Sequence, residues 1–413
     1  MRFNASVARF DLGGIPVVGN VATGCIVGLT PEGDALCVEL MRRDVAPAEI
    51  PPSCAPLVEY LSAQGFFAAA AAQPRLSSAY LHVTNTCNLS CTGCYSSDAN
   101  RNRALDPTCA QLEHAVVLLA ELGVERLVIS GGEPFARRDL PAVVRAARDA
   151  GITSVAVLTN GTLCTPERLD ELAGLMDVVS VSFDGTSVKA CAYVRQEQLF
   201  DRLVEAVRAI ARAGIRPHIL PTLHAKNAAD VAAYVELARS LDATVSFSLL
   251  SGSRAEIGDL WPDDACLGCL ADALFAVGAS AEGVDYDGRF DAASALAART
   301  SCGAGRKGVS VASDGSIYPC HMLHARDYRL GDAFVDAAED VCAALRSFDL
   351  PAVDTIATCS SCGKRYLCGG GCRARAYRAT GRLDAADPYC AYYDRALEKA
   401  VDAFVSALAS QKG

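Results

Sequence analysis

The 413-residue sequence has no apolar run long enough to cross a bilayer; the longest Ala-rich stretch, Phe66 to Ala72, is far too short. Met1 to Phe10 lack the apolar core of a secretory signal. Positive charge is also scarce. Lys and Arg number 38 against 48 Asp and Glu, a net charge of -10, which excludes a general nucleic-acid binder. These absences lead us to expect a cytoplasmic protein with neither nucleic acid nor membrane among its partners. The remaining composition, 51% hydrophobic and 21% charged with 33 Gly, is ordinary for a globular α/β protein, and the length suits two or three domains.

Cysteine is what the chain has in excess, at 19 residues. In a reducing compartment such a count points to metal rather than to disulfides. Three thiols, Cys87, Cys91 and Cys94, stand at Cys-x3-Cys-x2-Cys spacing just after an apolar stretch, Ala79 to Val83, that reads as a strand. A tight loop folding them inward can ligate three irons of a cubic 4Fe–4S cluster. The fourth iron then stays open for chemistry, whereas a cluster closed by four thiolates mainly carries electrons. The alternative, a zinc knuckle, needs a fourth ligand close by, and the nearby candidate, His82, lies within the strand.

Downstream the pattern alternates. Strands are expected at Leu81–Asn85, Arg126–Ser130, Ser154–Thr159, Val178–Phe183, Arg216–Thr222 and Thr244–Leu249. Helices are expected between them at Thr108–Leu122, Leu140–Ala150, Pro166–Leu175, Leu199–Ala213 and Ala228–Leu241. Several strands are near-continuous apolar runs, as buried parallel strands are. Six βα units predict an α/β fold with an open, partial (β/α)6 barrel over residues 78–250. Active sites of such barrels lie at the C-terminal strand ends. The polar segments fall there: the cysteine loop, Ser130-Gly131-Gly132-Glu133-Pro134, Thr159-Asn160-Gly161 and Ser182-Phe183-Asp184-Gly185.

Cys87-Asn88-Leu89-Ser90-Cys91-Thr92-Gly93-Cys94-Tyr95 resembles the cluster motif of the radical S-adenosylmethionine (radical SAM) superfamily. The resemblance implies a set of cofactor contacts. Gly131-Gly132-Glu133-Pro134 matches the segment at the amino group of the methionine moiety, where Glu133 would face the ammonium. Thr159 ends the third strand and is counted with the cofactor contacts. Ser182 matches a polar position near the ribose or carboxylate, and Arg195 an Arg that pairs with the carboxylate. Leu223 matches an adenine-packing position, and Tyr95 an aromatic whose backbone sits by the adenine.

Before the barrel, residues 1–73 read as a small unit. Val7–Leu12 and Cys25–Leu29 are expected strands, with turns at Gly13-Gly14 and Gly19-Asn20. Thr30-Pro31-Glu32 opens a helix, and a second runs from Ala55 to Gln64 until Gly65 stops it. This pattern resembles the winged-helix recognition element of enzymes that modify ribosomally made peptides (RiPPs), which captures a leader peptide as an added strand.

After a connector, 251–300, with Cys266-x2-Cys269 in an expected helix, a second cysteine block begins. Asp314-Gly315 reads as a hairpin turn between Gly308–Ala312 and Ser316–Tyr318. Cys302, Cys320, Cys359, Cys362, Cys368, Cys372 and Cys390 resemble the SPASM domain of peptide-modifying radical SAM enzymes; a zinc ribbon is the alternative. The domain spans 301–392, followed by a C-terminal helical segment, 393–413. The resemblance implies two auxiliary 4Fe–4S clusters, one on Cys302, Cys320 and Cys372, the other on Cys359, Cys362, Cys368 and Cys390. Some relatives place an extra Cys shortly after the position of Cys302. Here Gly305, Arg306, Lys307 and Gly308 stand there, which implies either an iron of the first auxiliary cluster open to a substrate thiolate or one closed by Cys266, Cys269 or another ligand. Sulfatase-maturing relatives carry an Asp directly after the position of Cys320; this chain has His321.

The implied cofactors are three 4Fe–4S clusters and S-adenosylmethionine, cleaved reductively to methionine and a 5′-deoxyadenosyl radical that takes a hydrogen from the substrate. The expected partners are a precursor peptide, its leader held by residues 1–73, and a small electron donor such as flavodoxin or ferredoxin. The expected product is a Cys thioether crosslink. The alternatives are a carbon–carbon crosslink or other oxidation of a peptide or protein, formylglycine formation included. More remote is a non-catalytic iron–sulfur electron carrier or peptide binder.

Overall fold

A strict alternation along the central strands sets the architecture. In β4 (Ser78–Thr84), Ala79, Leu81 and Val83 enter the main core, as do Leu127 and Ile129 of β5 (Arg126–Gly131) and Val155 and Val157 of β6 (Ser154–Thr159). Val179, Val181 and Phe183 of β7 (Val178–Phe183) and Ile219 and Leu223 of β8 (Arg216–Leu223) continue that face. The residues between them, Tyr80, His82, Thr84, Ser130, Ser180, Ser182, His218 and Thr222, therefore point to the other, concave face. The expected near-continuous apolar runs are present in β5 (Leu127-Val128-Ile129) and β6 (Val155-Ala156-Val157-Leu158), whereas β4, β7 and β8 are apolar outward and largely polar inward. The computed structural model describes residues 1–67, 76–97, 99–195, 197–278 and 296–410. Residues 68–73 of the expected N-terminal unit, 279–295 of the connector and 411–413 lie outside these.

Helices cover the apolar face. They are α3 (Cys109–Glu121), α4 (Leu140–Asp149), the short α5 (Pro166–Asp170), α6 (Phe200–Arg212) and α7 (Val231–Ser240). In α6, Leu203, Ala206, Val207, Ala209 and Ile210 are buried at helical spacing, and each large apolar side chain so buried contributes about 1.5–3 kcal/mol. Thr108 caps α3, its side chain accepting from Gln111 N. The expected fifth helix is short because the chain leaves helical geometry after Asp170. The expected sixth strand is split into β9 (Thr244–Val245) and β10 (Ser248–Leu249), both paired with β8.

The strand order is β10-β8-β7-β6-β5-β4-β11-β12-β13, parallel from β10 to β11, so the barrel is partial. The expected hairpin exists as β11 (Gly308–Val311) and β12 (Ser316–Tyr318), followed by β13 (Gly331–Asp332). It does more than close on itself: β11 lies parallel to β4, pairing Gly308 with Ser78 and Val311 with Leu81. The second cysteine block is thus stitched into the barrel's own sheet.

The N-terminal unit is a sheet of β1 (Val7–Leu12), β2 (Ile15–Asn20) and β3 (Ile26–Gly28), with α1 (Pro31–Arg42) and α2 (Ala55–Ala63). Thr30 caps α1 and Pro31 opens it, as expected. The expected turn at Gly19-Asn20 is wrong, because Gly19 is inside β2, opposite Ala8. A Cβ there would lie 2.6 Å from Ala298 Cβ and 2.9 Å from the Phe10 ring, so this glycine serves close packing. One face of the sheet packs on α1 and α2 through Val18, Leu36, Leu40, Val58 and Leu61. Phe10, Leu12 and Val17 on the other face meet Leu367, Leu397 and Val401 of the C-terminal region. The C-terminal helix spans Cys390–Ser410 and pairs with α9 (Asp264–Ala276), Arg395 Nε donating to Asp272 Oδ1 at 2.8 Å.

Candidate active site

The cysteine loop leaves β4 and is pinned at four points. Gly132 N donates to Thr84 O at 2.7 Å and Glu133 N to Thr86 O at 2.8 Å. Cys87 N donates to Asn102 Oδ1 at 2.7 Å, and Thr92 N to Val194 O at 2.8 Å. The glycine pair is required by this stapling. A Cβ on Gly132 would lie 2.0 Å from Thr86 O, and one on Gly131, at φ +122°, 2.4 Å from Thr84 O. Close approach of the cofactor was the expected reason for these glycines; close approach of the loop's own carbonyls is what the geometry displays. Gly93 turns the loop at φ +67° against Leu250 and Ile257, so that Cys94 doubles back.

Cys87, Cys91 and Cys94 are half-buried and in no disulfide. Burial pushes the Cys91 thiol up to about 11, and the neighbouring thiols push the same way, while Arg195 opposes them. Burial also raises Cys87. Thiols raised in this way ionise readily only beside a cation, as metal coordination provides. Donors stand ready for the resulting sulfur charge: Asn160 Nδ2 lies 4.0 Å from Cys87 Sγ and Arg101 Nη2 3.9 Å from Cys94 Sγ. Asn88, within the motif, donates to Thr162 Oγ1 at 2.8 Å and accepts from Asn160 Nδ2 at 2.9 Å, tying the loop to the end of β6. Among the described residues no three His, Cys, Asp or Glu side chains converge on a single metal ion.

The expected cofactor contacts divide. Arg195 is buried near the thiol loop. It is 7% exposed, lies within electrostatic reach of Cys91, Asp184 and Glu133, and its Nε has no hydrogen-bond partner among the described residues. Asp184 Oδ2 accepts from Val194 N and Arg195 N at 2.7 and 2.8 Å, which fixes the backbone at the guanidinium's root. A buried, under-bonded guanidinium is costly unless an anion arrives. Ser182 is half-buried on the concave face of β7. Neighbouring Ser180 Oγ is buried and has no hydrogen-bond partner among the described residues, as is true of His224 Nε2 just beyond β8.

Three other contacts are already engaged within the protein. Glu133, fully buried, accepts from Phe135 N at 3.0 Å and Thr159 Oγ1 at 2.7 Å on Oε1, and from Asn160 N at 2.7 Å on Oε2. Burial pushes its carboxyl up from the ordinary value, and these three bonds pull it back. Thr159 spends its hydroxyl on Glu133 and accepts from Gly161 N at 3.0 Å. Glu133 and Thr159 are therefore a clamp between the ends of β5 and β6. Leu223 lies in the outer core with Ile219, while Thr222 faces the concavity. Its expected adenine contact is not where its side chain points.

The concave face beside β4 holds a ring cluster that sequence reasoning did not assemble. Tyr80 stacks on His321 with centroids 4.0 Å apart, and Tyr95 meets His321 edge-on at 5.2 Å. His82 lies 4.8 Å from His324, and His324 stacks on Tyr318 at 4.6 Å. Tyr95 OH and Ser130 Oγ share a hydrogen bond of 2.6 Å. Burial holds His321 down to about 3 and Tyr95 up to about 12, so both are neutral at pH 7. The only sequence signal was His321 itself, directly after Cys320.

The auxiliary cysteines form two groups. Cys302, Cys320 and Cys372 pack on one small core with Leu323, Leu350, Ala374 and Leu383. Cys390 feels the charges of Cys359 and Cys362, and Cys368 those of Cys390 and Cys359. The loops carrying them hang on a buried ion pair, Arg375–Asp387, both 2% exposed. Asp387 accepts from Arg375 Nε at 2.8 Å, Cys372 N at 2.6 Å and Tyr389 N at 2.9 Å. Arg375 lies 4.5 Å from the Tyr389 ring. Of the remaining cysteines, Cys37, Cys54 and Cys164 are buried packing residues, while Cys191 and Cys269 are exposed.

A partial parallel barrel whose thiol loop sits at its C-terminal mouth is the arrangement of an iron–sulfur enzyme that uses S-adenosylmethionine. Residues 81–238 match the Radical SAM superfamily and residues 302–363 the SPASM iron-sulfur cluster-binding domain. The chain carries a radical SAM domain and a SPASM domain. Among curated relatives, the AdoMet-dependent heme synthase of Methanosarcina barkeri is 28% identical, covering 75% of this chain and 95% of that one. The mycofactocin maturase MftC of Mycolicibacterium smegmatis is 29% identical, covering 75% and 81%. Among solved structures, Streptococcus suis SuiB bound to precursor peptide SuiA shares the fold at a TM-score of 0.59 and 15% identity, over 94% of this chain and 98% of that one. Among the described residues no helix is long and apolar enough to cross a membrane.

Proposed function

We propose that the protein takes a hydrogen atom from a ribosomally made precursor peptide and installs a crosslink, a Cys thioether being the product it suits best. One observation carries the reading: both cysteine systems attach to β4, the first loop at its end and the Cys320 hairpin along its side. A peptide at the concave face would meet both. The reading includes three 4Fe–4S clusters, on Cys87, Cys91 and Cys94; on Cys302, Cys320 and Cys372; and on Cys359, Cys362, Cys368 and Cys390.

When bound, S-adenosylmethionine and its cluster supply one-electron, hydrogen-abstracting chemistry. The protein supplies placement. Arg195 takes the methionine carboxylate through its free Nε. The backbone of Gly131 to Glu133, rather than the occupied Glu133 carboxylate, meets the amino group. Ser182 offers a hydroxyl from β7, and the backbone at Tyr95 lies by the adenine. With three thiols, Cys302, Cys320 and Cys372 leave one iron of their cluster for a substrate sulfur. The edge of the N-terminal sheet at β3 receives the leader as an added strand. A flavodoxin or ferredoxin supplies the electron. The SuiB complex with its precursor peptide and the relative named as a maturase support the peptide substrate.

Anaerobically reconstituted enzyme with dithionite and S-adenosylmethionine should release 5′-deoxyadenosine. With the short peptide encoded beside the gene, the product should be lighter by about two hydrogens and have one fewer iodoacetamide-reactive thiol; these outcomes follow from the hydrogen-abstraction chemistry. Loss of two hydrogens with every thiol still reactive favours a carbon–carbon bond, and unchanged mass refutes the crosslink. The archaeal heme synthase relative favours a second reading, porphyrin modification, which a change in porphyrin absorbance on turnover would support.

A further inference from the structure

We propose that His321 is an outer ligand of the first auxiliary cluster: its Nδ1–H bonds the Cys320 sulfur and raises that cluster's reduction potential. The proposal rests on reading Cys302, Cys320 and Cys372 as cluster ligands. It concerns a residue that this reading leaves without a part.

The geometry is specific. His321 Nδ1 lies 3.9 Å from Cys320 Sγ, within reach of an N–H···S hydrogen bond, and Met322 N donates to the same sulfur at 3.5 Å. The ring is held in that attitude by Tyr80, which stacks on it at 4.0 Å with the planes 18° apart. Tyr95 packs against it as well, the two rings edge-on at 5.2 Å and 88°. Tyr95 is the residue after Cys94, and its hydroxyl is fixed on Ser130 Oγ. A single imidazole therefore touches the thiol of one cluster and the loop of the other. Tyr80 stacked on it and Tyr95 packed edge-on against it restrict its rotation, so Nδ1 has little freedom to leave the sulfur.

Hydrogen bonds to cluster sulfurs are among the levers that set an iron–sulfur potential, and outer partners of metal ligands tune the metal. Reduction adds negative charge to the thiolates, and an N–H aimed at Cys320 Sγ stabilises it. The electron that leaves the substrate radical needs an acceptor of sufficient potential. No proton transfer by His321 is required.

The test is an EPR-monitored redox titration of the reconstituted full chain. The wild type should give one reduced signal that S-adenosylmethionine perturbs and others that it does not. His321→Phe keeps a ring against Tyr80 and Tyr95 but removes the donor. It should shift one of the unperturbed signals to more negative potential and leave the perturbed one in place. His321→Asn, whose amide can donate to the same sulfur, should lie nearer the wild type. Should His321→Phe fail to hold iron, the unsubstituted protein decides: 15N-labelled histidine should produce a nitrogen hyperfine coupling on an unperturbed signal. An unmoved potential in an iron-replete His321→Phe protein, or no histidine coupling, overturns the proposal. Wild-type protein with no unperturbed signal instead overturns the auxiliary-cluster reading on which it rests.

Discussion

Replacing Asp387 with Ala should loosen both auxiliary cysteine loops at once. Asp387 and Arg375 are 2% exposed, so the substitution strands a guanidinium inside the protein. Breaking a buried pair on one side costs about 3–5 kcal/mol. The Tyr389 ring at 4.5 Å and the Tyr393 hydroxyl at 2.8 Å stay with Arg375 and keep the loss from the upper end. Cys372 N and Tyr389 N lose their acceptor as well, each worth about 1–3 kcal/mol if left unsatisfied. A net loss of about 4 kcal/mol would lower the urea midpoint by roughly 1.3 M, taking m near ~3 kcal/mol/M. Unfolding of the anaerobic holoprotein, followed by the visible absorbance of its clusters, reads this directly. The exposed pair Arg382–Asp384 is the control, and Asp384→Ala should leave the midpoint unmoved. If Asp387→Ala shifts the midpoint no more than Asp384→Ala, the buried pair is not what holds the Cys372 and Cys390 segments. Asp387→Asn keeps the shape and should fall between.

Gly132→Ala should empty the first cluster site alone, because the new Cβ meets Thr86 O at 2.0 Å and the cysteine loop must lift; iron analysis should show a loss of about four atoms per chain. Arg195→Met should weaken S-adenosylmethionine binding by roughly 10- to 150-fold, the worth of a charge-assisted bond of about 1.5–3 kcal/mol, with iron content unchanged. Equilibrium dialysis under anaerobic conditions measures it, and an unaltered Kd assigns the carboxylate elsewhere. His218 bonds Thr244 Oγ1 at 2.7 Å and Ser246 Oγ at 2.9 Å, and burial pushes it down to about 4. An unfolded His takes its proton near ~6.5, so between those values the unfolded chain binds more protons and stability falls as pH falls. Melting temperature followed from pH 7 to 4 should show that decline, and His218→Asn should flatten it if the variant folds; a slope identical to the wild type's removes His218 from the account.

The division between sequence and tertiary structure can be seen residue by residue. Thr30 was readable as a helix cap because a cap depends on neighbours within one turn, and likewise the cap role of Thr108, placed inside its helix, lay only one residue off. The cysteine spacing marked a ligand loop for the same reason. The three donors to Glu133 were not legible, since they come from a neighbouring turn and from the end of another strand. Leu223 was assigned by position in the chain, while strand parity with Ile219 turns it into the outer core. Gly19 read as a turn because composition does not reveal that Ala298, far along the chain, presses on it.

Local chemistry written in the order of residues was sufficient for the βα rhythm, the thiol loop after the first barrel strand and the polar segments at the strand ends. Those features depend on periodicity and on contacts a few residues apart. Tertiary structure alone decided that β11 adds to β4, that Tyr80, Tyr95 and His321 meet, and that Arg375 and Asp387 pair in the interior. Each joins segments that come together only once the sheet has formed. Hydrophobic burial selects that arrangement over the whole chain at once, so no short stretch of sequence encodes it.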